Sequence, residues 1–477
     1  MKYVVDDIEI DFPFEAYPCQ LKFMESVIKT LRGTTNAILE SPTGTGKTLC
    51  LLCSCIAFQQ YLRVKEGKVL KIVYSSRTHS QLSQVIRELR STAYRDQVRT
   101  SVMGSRDHLC VDSSVNHLRG SELNAKCRQL VRNKTCSYNN GVVRVTGPES
   151  GLEGINCVDI EDMYKIGLAR NFCPFYQSRE SQKVADIVFV PYNYIVDPQE
   201  NLEKQLDLTN AIVIFDEGHN LEKTCEESSS IVFGTVDIDS GLKALELATE
   251  IANIKATNML SSRTGETSSA YTDLSSHTNE LKKLENILTN LRHILMGLDL
   301  VEIDANGRHE LSISGQTVAG FFTKSGAHRD HKDVLLSNID LAEEAIAEQD
   351  IISSVPSLTK VKQVLSLILG LESDGELDKF FKIFAQDADN GPDHSSRRSS
   401  VIGGPPQRVI SMYCLSASVA MQTLVQKKSM CIYVCVYMCV GRGSKYLVGE
   451  WDIESNGYAF TVAWGRFWNN TAKHSCD

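Results

Sequence analysis

The run ILESPTGTGKTLC, residues 38–50, constrains this chain more than any other. Thr35 to Leu39 read as a buried strand, Leu49 onward reads as a helix, and the residues between are small or polar. Gly44 and Gly46 let such a turn point successive backbone N–H groups into one concavity, and the helix start adds its partial positive charge there. The natural occupant is a phosphate. Ser41, Pro42, Thr43, Gly44, Thr45 and Gly46 would form the cradle, Lys47 would reach the β and γ phosphates of a nucleotide such as ATP, and the Thr48 hydroxyl would ligate Mg2+. Ser41 stands where the strict pattern has a glycine. A connector that binds nothing is the alternative, and the Lys47–Thr48 pair at the helix start argues against it.

Two further strand-and-helix units follow. KVLKIVYSSRTHSQLSQVIRELR gives a strand from Val69 to Tyr74 and an amphipathic helix from about Ser80. NAIVIFDEGHN gives a continuous apolar run, Ala211 to Phe215, suited to a central parallel strand buried on both faces. The class is therefore α/β with a parallel sheet. Asp216 and Glu217 end that strand, on the edge of an open sheet where ligands bind, so they can stand beside the phosphate loop. The expected chemistry is magnesium-dependent nucleoside triphosphate hydrolysis. Asp216 would hold the metal, Glu217 would orient and deprotonate the attacking water, and His219 would link that site to bound substrate.

A chain of 477 residues with 42% apolar and 23% charged residues has room for several globular domains. No secretory signal or transit peptide is visible in MKYVVDDIEIDF, so the 15 cysteines read as buried thiols or metal ligands in a reducing compartment. The net charge of −9 hides a basic window: from Arg63 to Lys134 there are 15 Lys or Arg against 6 Asp or Glu, leaving −18 outside it. Such a window is either a nucleic-acid face or a solvated surface. Residues 106–174 break the strand and helix rhythm and hold five cysteines, which suggests an inserted module. A second insertion runs from about 236 to 400, where Leu281, Leu284, Leu288, Leu291 and Leu295 form a helical packing stripe with VKQVLSLILGL as its partner. The Ser/Thr-rich run from Ala256 to Thr278 and the stretch NGPDHSSRRSSVIGGPPQ read as connectors or loops. MCIYVCVYMCV, 430–440, is about half of the ~20 residues needed to cross a bilayer, and its alternation suits a strand.

DEGH after an apolar strand resembles the DEAH box of superfamily 2 helicases, with Gly218 in place of the usual alanine. FPFEAYPCQLKFM resembles that family's adenine-sensing segment, with Tyr17 and Gln20 in the sensing positions. YSSRTHSQLSQVIREL resembles its motif Ia, which implies that Arg77, Thr78 and His79 meet a single-stranded DNA backbone. VFVPYNYIVD, 188–197, is similar to a segment of the iron–sulfur branch. Cys110, Cys127, Cys136 and Cys173 are separated by 16, 8 and 36 residues, a spacing that on its own matches no ferredoxin or zinc pattern and is compatible with core thiols. In the xeroderma pigmentosum group D class, cysteines at similar spacing hold a [4Fe-4S] cluster. The resemblance implies the same for these four, with Cys157 left over and with Lys126, Arg128, Arg132 and Lys134 as phosphate contacts.

The resemblance implies a RecA-like motor domain of the P-loop type over residues 1–105 and 175–235. It places an iron–sulfur domain at 106–174, a helical Arch-like insertion at 236–400, a return to the motor at 401–426, and a divergent tail at 427–477. It further implies a nuclear ATP-dependent 5′ to 3′ helicase acting on single-stranded and forked DNA, in telomere maintenance, repair and recombination control. No membrane partner is expected. No Q-x-x-G-R-x-x-R segment, the source of the second motor domain's arginine finger, occurs in the sequence. An arginine finger is worth about 10³ to 10⁵ in rate, so this chain is expected to bind ATP and to turn it over slowly by itself. Replication or telomere proteins would be expected to bind the missing C-terminal region. A non-catalytic fragment that binds single-stranded DNA or a partner is the alternative.

Overall fold

The computed structural model describes residues 1–42, 44–146, 156–197, 206–208, 210–261, 267–300, 302–303, 309–349, 351–371, 373–387, 407–417, 419–421, 432–439 and 448–450. Its centre is a seven-stranded sheet in the order Val448–Glu450, Ala37–Pro42, Ile432–Cys439, Ala211–Phe215, Lys71–Ser76, Ile187–Pro191, Thr100–Val102. All neighbours are parallel except Val448–Glu450. Ala211–Phe215 and Ile187–Pro191 are buried at every position, as helices on both faces of a parallel sheet require. Successive residues feed opposite cores: Ile212 and Ile214 pack on one side, Val213 and Phe215 on the other. The parallel α/β fold expected from the sequence is the one observed.

Ile432–Cys439 pairs Val434 with Ala37 on one side and Cys435 with Phe215 on the other. The reading of this segment as a strand holds. Its place is inside the sheet, although it falls in the stretch read as a divergent tail. The phosphate-loop strand and the Ala211–Phe215 strand each have a ladder edge to satisfy, and a strand between them fills both.

The region read as a helical insertion is α+β. Thr235–Ser261, Thr267–Met296, Gly315–Ser325, Lys332–Glu348 and Val355–Gly370 are helices. Beside them lies an antiparallel sheet in the order Ile231–Gly234, Arg408–Cys414, Phe381–Asp387, His309–Ile313, Glu302–Ile303. Its outermost sequence partners come from segments read as motor, at 231–234 and 408–414. The chain returns to the core on one face of the parallel sheet near Ala417, Ala420 and Met421. All five leucines of the Leu281–Leu295 stripe are buried, and Leu288 and Leu291 share a small void with Val361 and Val364. Helices cover most of the Ser/Thr-rich run read as a connector, because propagation from the flanking amphipathic turns outweighs a weak local propensity. The Gly/Pro/Ser stretch lies outside the described residues up to Pro406.

The cysteine-bearing module consists of short helices, among them Arg106–Leu109, Gly120–Arg132, Ser137–Thr146 and Ile160–Arg170. It leans on the motor through Arg90, which donates to Asp162 at 2.6 Å and to the Cys157 carbonyl at 2.7 Å.

Candidate active site

The strand Ala37–Pro42 ends at a loop in which Gly44 (φ 78°) and Gly46 (φ 70°) adopt left-handed backbone conformations, and the helix Lys47–Glu66 begins directly after. The φ of Gly46 favours glycine, and a Cβ there would stand 2.8 Å from Gln20 Nε2 and push that side chain aside. Gln20 donates from Nε2 to the Thr45 carbonyl at 3.0 Å and accepts from the Tyr17 N–H at 2.9 Å. The residue read as an adenine sensor therefore also holds the phosphate loop against the first helix. Tyr17 is exposed, with its ring face free of the core. Ser41 Oγ and Thr45 Oγ1 lie 2.7 Å apart across the loop. Pro42 closes the strand, and Thr43 falls outside the described residues.

Lys47 is buried and donates to the Ser41 carbonyl at 3.2 Å. Asp216, also buried, accepts from Tyr74 Oη at 2.9 Å and from the Glu217 N–H at 3.0 Å. Burial raises the Asp216 carboxyl, and the Tyr74 hydroxyl, the Glu217 amide and the Lys47 charge oppose that shift. The Thr48 side chain is near enough to Tyr74 to oppose the upward push of burial on its phenol, so one buried tyrosine stands between the threonine after the phosphate loop and the acid of the neighbouring strand. Sequence reasoning missed Tyr74. The signal was available, because a tyrosine inside an apolar strand must find a partner for its hydroxyl. Glu217 occupies the left-handed region at φ 58°, an uncommon state for a glutamate. Burial and the adjacent Asp216 raise its carboxyl. His219 Nδ1 lies 3.4 Å from Glu217 Oε2.

Thr48 and Asp216 present a hydroxyl and a carboxylate, the oxygen donors a magnesium ion takes. A cation beside Asp216 would also offset the burial that raises its carboxyl. The donor set fits.

Cys127, Cys136 and Cys173 are buried and Cys110 is partly so. Each of Cys110, Cys136 and Cys173 senses the charge of Cys127, and Cys110 and Cys173 also sense Cys136, so the four thiols share one locality. Burial pushes Cys110 up to about 11 and Cys173 up to about 12. Backbone N–H groups oppose that trend by pointing at the sulfurs: Asp112 at Cys110, Asn139 and Tyr138 at Cys136, Tyr176 and Phe175 at Cys173. Arg106 hydrogen-bonds the Cys127 sulfur while its guanidinium lies 4.0 Å from the Phe175 ring centroid. Among the described residues no three His, Cys, Asp or Glu converge to hold a single ion. Cys157 stands apart, with its sulfur against the Arg95 carbonyl at 3.5 Å.

Arg77 is exposed and reaches Asn220 Oδ1 at 3.4 Å. Thr78 spends its hydroxyl on a capping box with Gln81 at the start of His79–Arg90. The His79 ring lies 4.9 Å from that of His108, and burial together with His108 pushes it down to about 4. His79 is therefore neutral at neutral pH and brings no positive charge to a phosphate. Its Nδ1 is buried without a hydrogen-bond partner beside a cavity of about 410 Å³ lined by Ser80, Ser83, His108, Tyr164 and Lys165. Lys126 sits half-buried on Gly120–Arg132.

The expectation that Arg128 and Arg132 serve phosphates needs correction. Arg128 donates to Glu343 at 2.9 Å and Arg132 to Glu344, both on Lys332–Glu348 of the α+β insertion. Glu343 is buried and also accepts from Thr359 at 2.5 Å. A buried carboxylate needs that cation more than exposed DNA does. Arg128→Ala is expected to destabilise the chain by about 2–4 kcal/mol, because it strands Glu343, and the added Glu343→Gln change should recover most of the loss. Urea unfolding of the single and double variants measures both, and an equal loss in the two would show that the pair is not what matters.

A family model described as DEAD_2 matches residues 74–238, which carry Arg77, the cysteines and the Asp216–Glu217 pair. Regulator of telomere elongation helicase 1 of Mus musculus is 32% identical over 89% of this chain. The chain is thus similar to helicases over most of its own length, with the family match confined to residues 74–238. Its Homo sapiens counterpart is 29% identical over 89% of the chain, and the Drosophila erecta homolog 37% over 63%. The chain spans 39% of the length of the mouse relative and 38% of the human one. Among solved structures, "XPD_Helicase" is similar at 17% identity and a TM-score of 0.48, over 88% of this chain and 58% of that one. "Truncated XPD" is similar at 16% and 0.47, over 88% and 94%.

Proposed function

We propose that the chain is the nucleotide-binding part of an ATP-dependent DNA helicase. The observation that carries this is the convergence of Lys47, Thr48, Asp216 and Glu217 on the C-terminal edge of one parallel sheet, joined through Tyr74. Lys47 and the loop amides would bind the phosphates of ATP, while Thr48 and Asp216 would hold Mg2+, which when bound withdraws charge from the phosphates. Glu217, a carboxylate with no formed hydrogen bond at Oε2, would orient the attacking water and accept its proton. Arg77, at the head of the His79–Arg90 helix, would meet the backbone of single-stranded or forked DNA. Cys110, Cys127, Cys136 and Cys173 would hold a [4Fe-4S] cluster that braces the module between motor and insertion. Movement 5′ to 3′, a place in the nucleus, and work in telomere maintenance and repair follow from the resemblance. None of the described helices is long and apolar enough to cross a membrane.

The second reading is a fragment that binds DNA or a partner without turnover. The test is ATP hydrolysis by anaerobically purified chain, with and without single-stranded DNA, beside Lys47→Ala. DNA-stimulated turnover that the substitution abolishes establishes the enzyme. Nucleotide binding with no turnover above the control establishes the fragment, and a chain that binds no nucleotide sinks both.

A further inference from the structure

A row of side chains joins Glu217 to Arg77, and none of the roles above uses its middle member, Asn220. Arg77 Nη1 donates to Asn220 Oδ1 at 3.4 Å, Asn220 Nδ2 lies 2.9 Å from His219 Nε2, and His219 Nδ1 lies 3.4 Å from Glu217 Oε2. The chemistry of each group fixes its direction. A guanidinium only donates, so the amide oxygen must face Arg77 and the amide nitrogen must face the histidine. An amide N–H needs an acceptor, so Nε2 is the bare ring nitrogen and the ring proton sits on Nδ1, toward Glu217. All three links therefore run one way, from the exposed cation to the carboxylate.

The strengths along the row differ in a useful manner. The middle link is a normal hydrogen bond. The outer two are long, and Glu217 Oε2 is buried without a formed hydrogen bond. The Asn220 backbone is held too: its N–H donates to the Glu217 carbonyl at 3.0 Å and its carbonyl accepts from Thr224 Oγ1 at 2.9 Å. The four-residue turn that keeps Glu217 in its left-handed conformation is thus closed by the same residue that reads Arg77. A phosphate that draws the guanidinium away removes the acceptor's partner at Asn220 and loosens the hold on His219. Nucleotide arriving beside Glu217 acts on the row from the other end.

We propose that Asn220 is a positioning residue that couples a DNA phosphate at Arg77 to the placement of Glu217 beside the nucleotide. This rests on the reading of the site as a DNA-dependent ATPase. Coupling of this kind is reciprocal, so it appears in binding as well as in turnover, and is typically worth about fivefold or more in affinity.

The test uses the full 477-residue chain and a fluorescent oligo-dT strand, titrated with and without magnesium and a non-hydrolysable ATP analogue, in wild type, Asn220→Ala and Asn220→Asp. Asn220→Asp keeps the size of the side chain and the acceptor for Arg77 but has no N–H for His219, so a role in packing alone survives it. The wild-type DNA affinity is expected to change about fivefold or more on adding nucleotide. In both variants that change should shrink to within about twofold, with the affinity of Asn220→Ala for each ligand alone also kept within about twofold. An Asn220→Asp chain that retains the whole change overturns the inference, as does a wild type that binds both ligands without any mutual effect. A wild type that binds neither ligand overturns the functional reading first and the inference with it.

Discussion

Lys47→Ala is expected to weaken magnesium–ATP binding by about 10- to 100-fold, while Glu217→Gln should leave that binding within about twofold of wild type. The asymmetry follows from position. Lys47 is a buried ammonium at the head of the loop helix that donates to the Ser41 carbonyl at 3.2 Å, and a charge-assisted hydrogen bond to a phosphate is worth about 1.5–3 kcal/mol. Its removal also takes a compensating cation from Asp216 and Glu217, whose carboxyls burial already raises. Both would then be harder to ionise, and the magnesium donors would weaken together with the phosphate contact. Glu217 acts on water, so its amide costs turnover, by about 10²- to 10⁴-fold where turnover is present, and leaves affinity alone. Calorimetric titration of the three proteins separates these outcomes. If Lys47→Ala bound nucleotide as wild type does, the loop would be a connector and the assignment of the site would fall.

How much of this was legible in the sequence depends on how far apart the partners lie. The strand Ala211–Phe215 was readable to the residue, because five apolar residues bounded by Asn210 and Asp216 leave one plausible element. The phosphate loop was readable because its chemistry is local: two glycines, a lysine and a threonine act within five residues. The antiparallel sheet of the insertion was not. Arg408–Cys414 pairs with Phe381–Asp387 and with Ile231–Gly234, and no local pattern announces a strand whose partner lies across a whole helical domain. Arg128 failed for the same reason: its partner Glu343 is 215 residues away, and a basic residue in a basic window reads as a surface charge until that acid is seen. The lowered basicity of His79 was not legible either, since it comes from burial and from His108, 29 positions along the chain.

Cys136→Ser should cost the anaerobically purified chain its iron and its visible thiolate-to-iron absorption, while Cys157→Ser should cost neither. Cys110, Cys127, Cys136 and Cys173 share one locality with N–H donors on three of their sulfurs, whereas Cys157 donates from its sulfur to the Arg95 carbonyl and from its backbone N–H to Thr100 Oγ1. The module is built largely of short helices and is tied to its neighbours through Arg90 to Asp162 on one side and Arg128 to Glu343 on the other. A small module of this kind takes folding free energy from what its thiols bind, so loss of the cluster should also expose 106–174 to proteolysis before the rest of the chain opens. Iron per chain, the visible spectrum and limited proteolysis of wild type and both variants test this together. Equal iron in wild type and Cys136→Ser would show that the four thiols are core residues. Loss of iron in Cys157→Ser as well would show that the ligand set has been drawn around the wrong sulfur.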